Sequence, residues 1–458
     1  MIGVVNFLLN IVFYNVFEIF GLGDTINLPL SIAVLLIGYT YLMFRLRFIQ
    51  FTHFGKMLKY TFSKDSSTTT SPIKTLLTSI ASCTGMNATA GIVFMVAVGG
   101  IGTIFWLPII AFLCMPFRFA EVYLSHSYRS AKVDLSTIGG PFDYIKKGLS
   151  DIGFKKTGEV LALLYAIMLA IAGTIGVSMY EMNQAVVVLE KNFSFFNNQR
   201  LLLTIALTII ALWIIFGGTK RVVNFMSIAL PVLSITYVLI SIIVVAFNYK
   251  SLGSVFTLIF NDAMHPRSIS GGIIGSFCLC ARKCCLSHET GLGTSGIVHA
   301  LSPEKDSFKE ALRSMMTPLI TGLIVCLSTA LVLTTTGTYN DAEIMKDGVS
   351  ALSYAFGSTY WLFSYVVVAI IPMFTANVMI GWSNYIVKCS QYILNKKQFA
   401  HMMTILFFTF AFIGGIINDF FFVMDVVDLI LMFILLINVP IIMVLSGKVY
   451  KAIKEYKF

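Results

Sequence analysis

Residues 270–300 read SGGIIGSFCLCARKCCLSHETGLGTSGIVHA, a largely apolar stretch that is interrupted near its middle. A bilayer core of about 30 Å takes about 20 helical residues, so the stretch is long enough to span a membrane. Its interruption, SHETGLGTS at residues 287–295, combines glycines with the ionisable pair His288 and Glu289. Such sequence breaks a helix, and unwound backbone at bilayer depth is tolerated only where it lines a cavity or binds something. The stretch therefore predicts a broken membrane helix with a site at the break.

A second interruption lies five apolar spans earlier, where residues 81–91 read ASCTGMNATAG. Two breaks in corresponding places are expected when the spans form inverted repeats with a binding site at their interface. A helix-packing face of small residues would also account for this break on its own. It accounts less well for the break at 287–295, because His288 and Glu289 at bilayer depth are costly and functional by default. The pair of breaks favours a substrate and ion site.

The composition supports a membrane protein over its whole length. The chain has 458 residues, of which 57% are hydrophobic and only 12% are charged, and its mean hydropathy is +0.86. Soluble domains carry about 25% charged residues. We therefore expect an all-α polytopic membrane protein and exclude a set of soluble domains.

Apolar runs bounded by charge predict eleven transmembrane helices. They cover residues 28–44, 74–98, 101–128, 157–189, 201–216, 222–247, 270–300, 307–336, 350–394, 402–417 and 423–445. The last ten would form a five-plus-five inverted repeat with two broken helices. Residues 6–20 are aromatic and lack the features of a signal peptide, so they predict an interfacial helix.

This assignment divides the chain into five segments. Residues 1–73 hold the interfacial helix, the first transmembrane helix and a cytoplasmic loop, 74–247 the first repeat, 248–269 an extracellular loop, 270–446 the second repeat, and 447–458 a basic cytoplasmic tail.

The basic residues predict the orientation. Lys and Arg number 32 against 22 Asp and Glu, a net charge of +10. Most of them fall in alternate loops, which would then be cytoplasmic, and this places the C-terminus in the cytoplasm of a multi-pass cell-membrane protein. Topology thus accounts for the net charge without nucleic acid as a partner.

Catalytic and metal-centred alternatives have little support in the sequence. The cysteines lie in apolar runs, and the cluster at Cys278, Cys280, Cys284 and Cys285 lacks the paired spacing of a zinc site, so it favours packing. His288, Glu289 and His299 do not match the H-E-x-x-H pattern of a zinc enzyme. We expect neither an enzyme nor an organic cofactor, and no obligate protein partner is implied.

The ends of broken helices suit a zwitterion and a cation. The amides at a half-helix N-terminus carry partial positive charge and bind a carboxylate, while freed carbonyls bind a desolvated cation. An amino acid carried with sodium fits such a site.

Four motifs resemble those of the alanine or glycine:cation symporters, also called sodium:alanine symporters, along nearly the whole chain. They are Ser71-Pro72 with the first break and Phe119-Ala120-Glu121, then GGPFDYIKKGL at residues 139–149, then GGTKR at 217–221, and finally SHETGLG at 287–293 with His299-Ala300. The resemblance implies import of alanine or glycine with sodium by alternating access.

The resemblance also implies which residues form the site. The expected substrate-binding residues are Thr84, Gly85, Met86 and Asn87 of the first break, Ser287, His288, Glu289, Thr290, Gly291 and Gly293 of the second, and Glu181 and Trp382. The expected sodium ligands are the carbonyls of Ala81, Thr84 and Phe374 and the side chain of Asn377.

Several of these positions differ from the family pattern. Asn87-Ala88 stands where the family has Gly-Asn, and His288 stands where it has Asn. Glu181 replaces a neutral amide, and Val378 takes the place of a hydroxyl that belongs to the family's sodium site.

These differences leave alternatives open. A buried carboxylate such as Glu181, or His288, permits coupling to protons in place of sodium and transport of another amino acid. Equally, Glu181 could lie near the helix end and meet water, Arg282 or Lys283. A transporter fold retained as an amino acid sensor is a further alternative, and a channel is less favoured because no filter or charge ring is visible.

Overall fold

The structure is a computed structural model that describes residues 14–16, 28–62, 72–129, 139–216, 219–264 and 272–456. Within these ranges the chain is helical, without β-strands. The main helices are α1 (Leu30–Arg45), α2 (Pro72–Cys83), α3 (Ala90–Gly99), α4 (Thr103–Ser127), α5 (Lys155–Asn192), α6 (Arg200–Phe216), α7 (Thr219–Phe247), α8 (Tyr249–Met264), α9 (Gly272–His288), α10 (Thr294–His299), α11 (Ser307–Thr335), α12 (Ser350–Thr359), α13 (Trp361–Ile393), α14 (Lys397–Ile416) and α15 (Phe420–Glu455).

Shorter helical turns connect the main helices. They are Ile49–Thr52, Phe54–Phe62, Met86–Ala88, Pro141–Asp143, Tyr144–Gly148, Leu149–Asp151, Ser194–Phe196, Thr338–Asn340 and Ala342–Lys346. Inside α5 and α11, the segments Ala172–Val177 and Pro318–Val325 are wound as π-helix, a local widening often found at functional sites.

The predicted spans correspond to helices in the described part of the chain. Six helices are long and apolar enough to cross a membrane, namely α4, α5, α11, α13, α14 and α15. The other five predicted spans are the two with breaks, the shorter helices α1 and α6, and α7, which meets α8 at 96°. The all-α membrane fold is confirmed, whereas the number of eleven spans and their inverted repeat stay predictions.

Three predicted boundaries differ from the helices that form. The span expected over 350–394 is divided at Tyr360, whose backbone is extended. The last helix continues to Glu455, through most of the expected tail. The expected extracellular loop contains α8, because Val255, Ile259 and Ala263 give it an apolar face that packs inward. The predicted interfacial helix lies outside the described residues except for 14–16.

The helices that surround the breaks pack closely at glycines. α1 lies along α15, and α4 contacts both α9 and α11. The second half of α5 lies along α14, where Gly414 contacts the backbone of Met179. A Cβ at Gly414 would lie 2.3 Å from the Met179 carbonyl oxygen, so this helix pair approaches as closely as it does only because the residue is glycine.

Gly414→Leu is expected to separate α14 from α5 and to destabilise the protein by about 3 kcal/mol, at the upper end for overpacking. The measurement is the thermal unfolding midpoint of the purified protein in detergent. Gly447→Leu on α15 is the matched control, because a Cβ at Gly447 meets nothing within 4 Å. Equal midpoints for the two variants would contradict the close contact.

Candidate functional site

The first break separates α2 from α3. The Gly85 amide donates to the Cys83 carbonyl at 3.0 Å, replacing the α-helical bond that would close on Ala81. The chain then passes through the turn Met86–Ala88 before α3 begins at Ala90. The carbonyl of Ala81 is thus freed from the regular helical pattern at the position expected of a sodium ligand.

Neighbouring helices supply the hydrogen-bond partners of the first break. The Met86 amide donates to Glu181 Oε1 at 3.1 Å, and the Met86 carbonyl accepts from the Tyr180 hydroxyl at 3.1 Å. Ser287 donates to the Asn87 carbonyl at 2.8 Å, and Thr329 donates to the Ala88 carbonyl at 3.3 Å. The break is therefore held by side chains from α5, α9 and α11.

Gly85 is where α5 and α13 converge on the first break. A Cβ there would lie 2.4 Å from Val378 Cγ2 and 2.7 and 3.1 Å from the two carboxylate oxygens of Glu181. Any larger residue would collide with both side chains. This close approach is the reason that the position is glycine.

The second break runs from Glu289 to Gly293, between α9 and α10. Its φ angles are +54° at Glu289, +100° at Gly291 and +90° at Gly293. Glycine adopts such angles readily, whereas Glu289 does so at a cost in free energy. The glycines of the predicted motif thus produce the turn.

The backbone of the second break is bonded to the surrounding helices at almost every residue. The His288 carbonyl accepts a hydrogen bond from Arg118, and the Thr290 carbonyl accepts one from Tyr39 at 2.8 Å. The Gly291 carbonyl accepts from Asn438 at 2.8 Å, and the Leu292 carbonyl accepts from Tyr165 at 2.6 Å. The Gly293 amide donates to Glu121 at 2.7 Å. Unwound backbone so deep in the protein is costly unless it is bonded in this way.

A buried ion pair lies behind this break. Arg118 Nη1 is 3.3 Å from Glu121 Oε2, and neither side chain is exposed. Each of the two also bonds to the break, Arg118 to a carbonyl and Glu121 to an amide. The pair therefore fixes the second break to α4.

Glu289 and Trp382 meet at the second break. Glu289 accepts from Trp382 Nε1 at 2.8 Å and from Thr294 Oγ1 at 2.5 Å. Trp382 is therefore oriented by a carboxylate of the break and is buried, at 2% exposure.

The structure brings only some of the predicted substrate residues together. Thr84, Gly85, Met86, Asn87, Glu181 and Ser287 share the first break, and Glu289, Thr290 and Trp382 lie at the second. Gly291 and Gly293 instead pack against Leu435 and Tyr165. The His288 ring accepts from the Thr290 amide at 3.3 Å and lies 3.4 Å from Cys114 Sγ, so it faces α4.

Glu181 does not contact Arg282 or Lys283, the basic residues that the sequence offers as its partners. It is 1% exposed. Arg282 and Lys283 each lie 2.5 Å from Asp428 Oδ2 on α15. The carboxylate of Glu181 faces the first break instead.

The expected sodium ligands lie on two facing helices. Ala81 and Thr84 belong to the first break, and Phe374 and Asn377 to α13, which packs against it through Val378. All four are buried. Carbonyl, hydroxyl and amide oxygens are suitable donors for a hard cation.

Sequence reasoning did not assign a role to the residues that hold the second break, namely Arg118, Glu121, Asn438, Tyr39 and Tyr165. The first three carry a signal that could have found them, since charged or amide side chains inside apolar spans are rare and functional. The two tyrosines carry none, because their partners lie 251 and 127 residues away.

Comparison with known proteins identifies the family. The chain matches the sodium:alanine symporter family over residues 15–458. It belongs to this family. The sodium/alanine symporter AgcS of Methanococcus maripaludis is 28% identical over 393 residues, covering 84% of this chain and 85% of AgcS. The probable sodium/glutamine symporter GlnT of Bacillus subtilis is 26% identical, covering 96% of this chain and 90% of GlnT.

A solved structure supports the fold. MhsT, crystallised in complex with L-phenylalanine, superposes with a TM-score of 0.59 at 13% identity, covering 83% of this chain and 89% of MhsT. The sodium:alanine symporter resemblance and the transporter fold are confirmed, and the chain is a membrane transporter and not an enzyme.

Glu121→Ala is expected to destabilise the protein by about 3–5 kcal/mol, because Arg118 would remain buried without its counter-charge. Thermal unfolding of the purified protein measures the effect. Glu343→Ala is the matched control, since Glu343 pairs with Lys346 at the surface and should contribute less than about 1 kcal/mol. Similar losses in both variants would argue against a role for Glu121 in holding the break.

Proposed function

We propose that this symporter imports a small neutral amino acid, alanine or glycine, together with sodium by alternating access. The observation that carries the proposal is the meeting of two broken helices at one buried site, joined by the Ser287 to Asn87 bond. The similarity to AgcS, a sodium/alanine symporter, supports alanine as the substrate and sodium as the coupling ion.

The proposed substrate site consists of the first break, Glu181, Ser287 and the Glu289–Trp382 pair. The amides of the breaks would bind the substrate carboxylate. Sodium would bind the carbonyls of Ala81, Thr84 and Phe374 and the amide oxygen of Asn377. His288, Thr290, Gly291 and Gly293 would act by shaping the second break. The C-terminus would be cytoplasmic, following the distribution of basic residues.

Uptake of labelled alanine into proteoliposomes tests the proposal directly. A sodium gradient is expected to drive accumulation, and unlabelled glycine should compete. Unlabelled glutamine tests the substrate of GlnT in the same assay. Accumulation driven only by a proton gradient would favour the proton-coupled alternative, and binding of alanine without accumulation would favour a sensor.

Gly85→Leu is expected to reduce the initial rate of sodium-driven alanine uptake to below about a tenth of wild type. The added side chain would occupy the space between Val378 and Glu181, and overpacking of a buried site costs about 1–3 kcal/mol. Gly253→Leu on α8 is the control, because a Cβ there meets nothing within 4 Å. Glu289→Ala should also reduce uptake, since Trp382 would lose its acceptor. Wild-type rates in both site variants would exclude this site.

A further inference from the structure

The Glu181 carboxylate is buried and only half satisfied. Its Oε1 accepts from the Met86 amide at 3.1 Å. Its Oε2 has no hydrogen-bond partner among the described residues, although the side chain is 1% exposed. A buried oxygen without a partner calls for a physical cause, such as a bound ion.

Among the described residues, no basic side chain forms an ion pair with this carboxylate. The buried cations of the neighbouring helices pair elsewhere: Arg118 with Glu121, and Arg282 and Lys283 with Asp428. An ion left alone in the interior costs several kcal/mol even after relaxation. A buried Glu181 carboxylate therefore calls for a partner from outside the chain, which is either a proton or another monovalent cation.

Other oxygens around the same break also lack partners in the described structure. These atoms are Thr84 Oγ1, Asn87 Oδ1 and Asn377 Oδ1, and all three residues are at most 8% exposed. Thr84 and Asn377 are next in sequence to residues at the site. Thr84 precedes Gly85, where a Cβ would contact both Glu181 and Val378, and Asn377 precedes Val378. Carboxylate, hydroxyl and amide oxygens such as these are the ligands that a hard cation prefers.

We propose that the Glu181 carboxylate binds a monovalent cation at the first break, which is either the coupling sodium ion or the ammonium group of the substrate. Both are small monovalent cations that a carboxylate and neutral oxygens can hold. Glu181 then supplies the oxygen that Val378 cannot provide. This inference rests on the proposed function, because both cations are those of an amino acid symporter.

The test compares Glu181→Gln with the wild-type protein in two binding assays on purified protein. One assay measures ²²Na⁺ binding without amino acid, and the other measures labelled alanine at saturating sodium. Loss of a buried charge partner should weaken binding of the cation concerned by at least about tenfold. Glu159→Gln is the matched control, because Glu159 is an exposed carboxylate on the same helix.

The two candidate cations, sodium and the substrate ammonium group, predict different results in these assays. Weaker ²²Na⁺ binding with unchanged alanine affinity identifies sodium as the cation. Weaker alanine binding with unchanged ²²Na⁺ binding identifies the substrate ammonium. Unchanged binding in both assays overturns the inference and leaves the proposed function standing. If the wild-type protein binds neither ²²Na⁺ nor labelled alanine, both this inference and the proposed function are overturned.

Thermal unfolding gives a second, independent measurement. Removing a buried charge without a counter-ion should raise the unfolding midpoint of Glu181→Gln in choline chloride, where sodium is absent. If the cation is sodium, adding it should raise the wild-type midpoint more than that of Glu181→Gln, because a ligand stabilises the state that binds it. A lower midpoint for Glu181→Gln in choline would show that the charge is already compensated, and this would overturn the inference.

Discussion

The need to satisfy unwound backbone inside a membrane protein determines most of this structure. Between Cys83 and Ala90, and again between His288 and Thr294, the helical hydrogen-bond pattern is interrupted. No bulk water is available at bilayer depth, so each freed carbonyl or amide needs another partner. The helices that surround the breaks carry the polar side chains that provide them. The positions of α1, α4, α5 and α15 around the site follow from this requirement.

The two breaks meet this requirement to different extents. In the second break, four backbone carbonyls bond to Arg118, Tyr39, Asn438 and Tyr165. In the first break, backbone groups are bonded as well, but side-chain oxygens of Thr84, Asn87 and Glu181 are left without partners among the described residues. In the second break, Thr290 Oγ1 also lacks a partner among the described residues. More of the unsatisfied acceptors that a ligand can use therefore lie at the first break. The similar glycine-containing sequences of the two breaks conceal this difference.

The sequence was sufficient to locate both breaks, because glycines and polar residues inside an apolar run interrupt a membrane helix. It was also sufficient for the all-α fold, since the apolar runs set the helices. The sequence could not show which polar side chains bond to one another in the folded protein. The sequence allows Arg282 or Lys283 as a partner of Glu181, yet both basic residues bond to Asp428, which is 145 residues from Lys283. The orientation of His288 likewise depends on the position of Cys114, on a helix that packs beside it only in the folded protein.

Ser287 shows how the site is connected to the rest of the bundle. Its hydroxyl lies 2.8 Å from the Asn87 carbonyl and 2.7 Å from the Lys283 carbonyl, one turn earlier on α9. The side chain of Lys283 bonds to Asp428 on α15 and lies 4.1 Å from the ring centroid of Phe94 on α3. The first break, α9 and α15 are thus joined through one serine and one lysine. The single hydroxyl proton of Ser287 is shared between the two carbonyls, so a movement of the first break away from α9 leaves this proton with the Lys283 carbonyl and releases the Asn87 carbonyl.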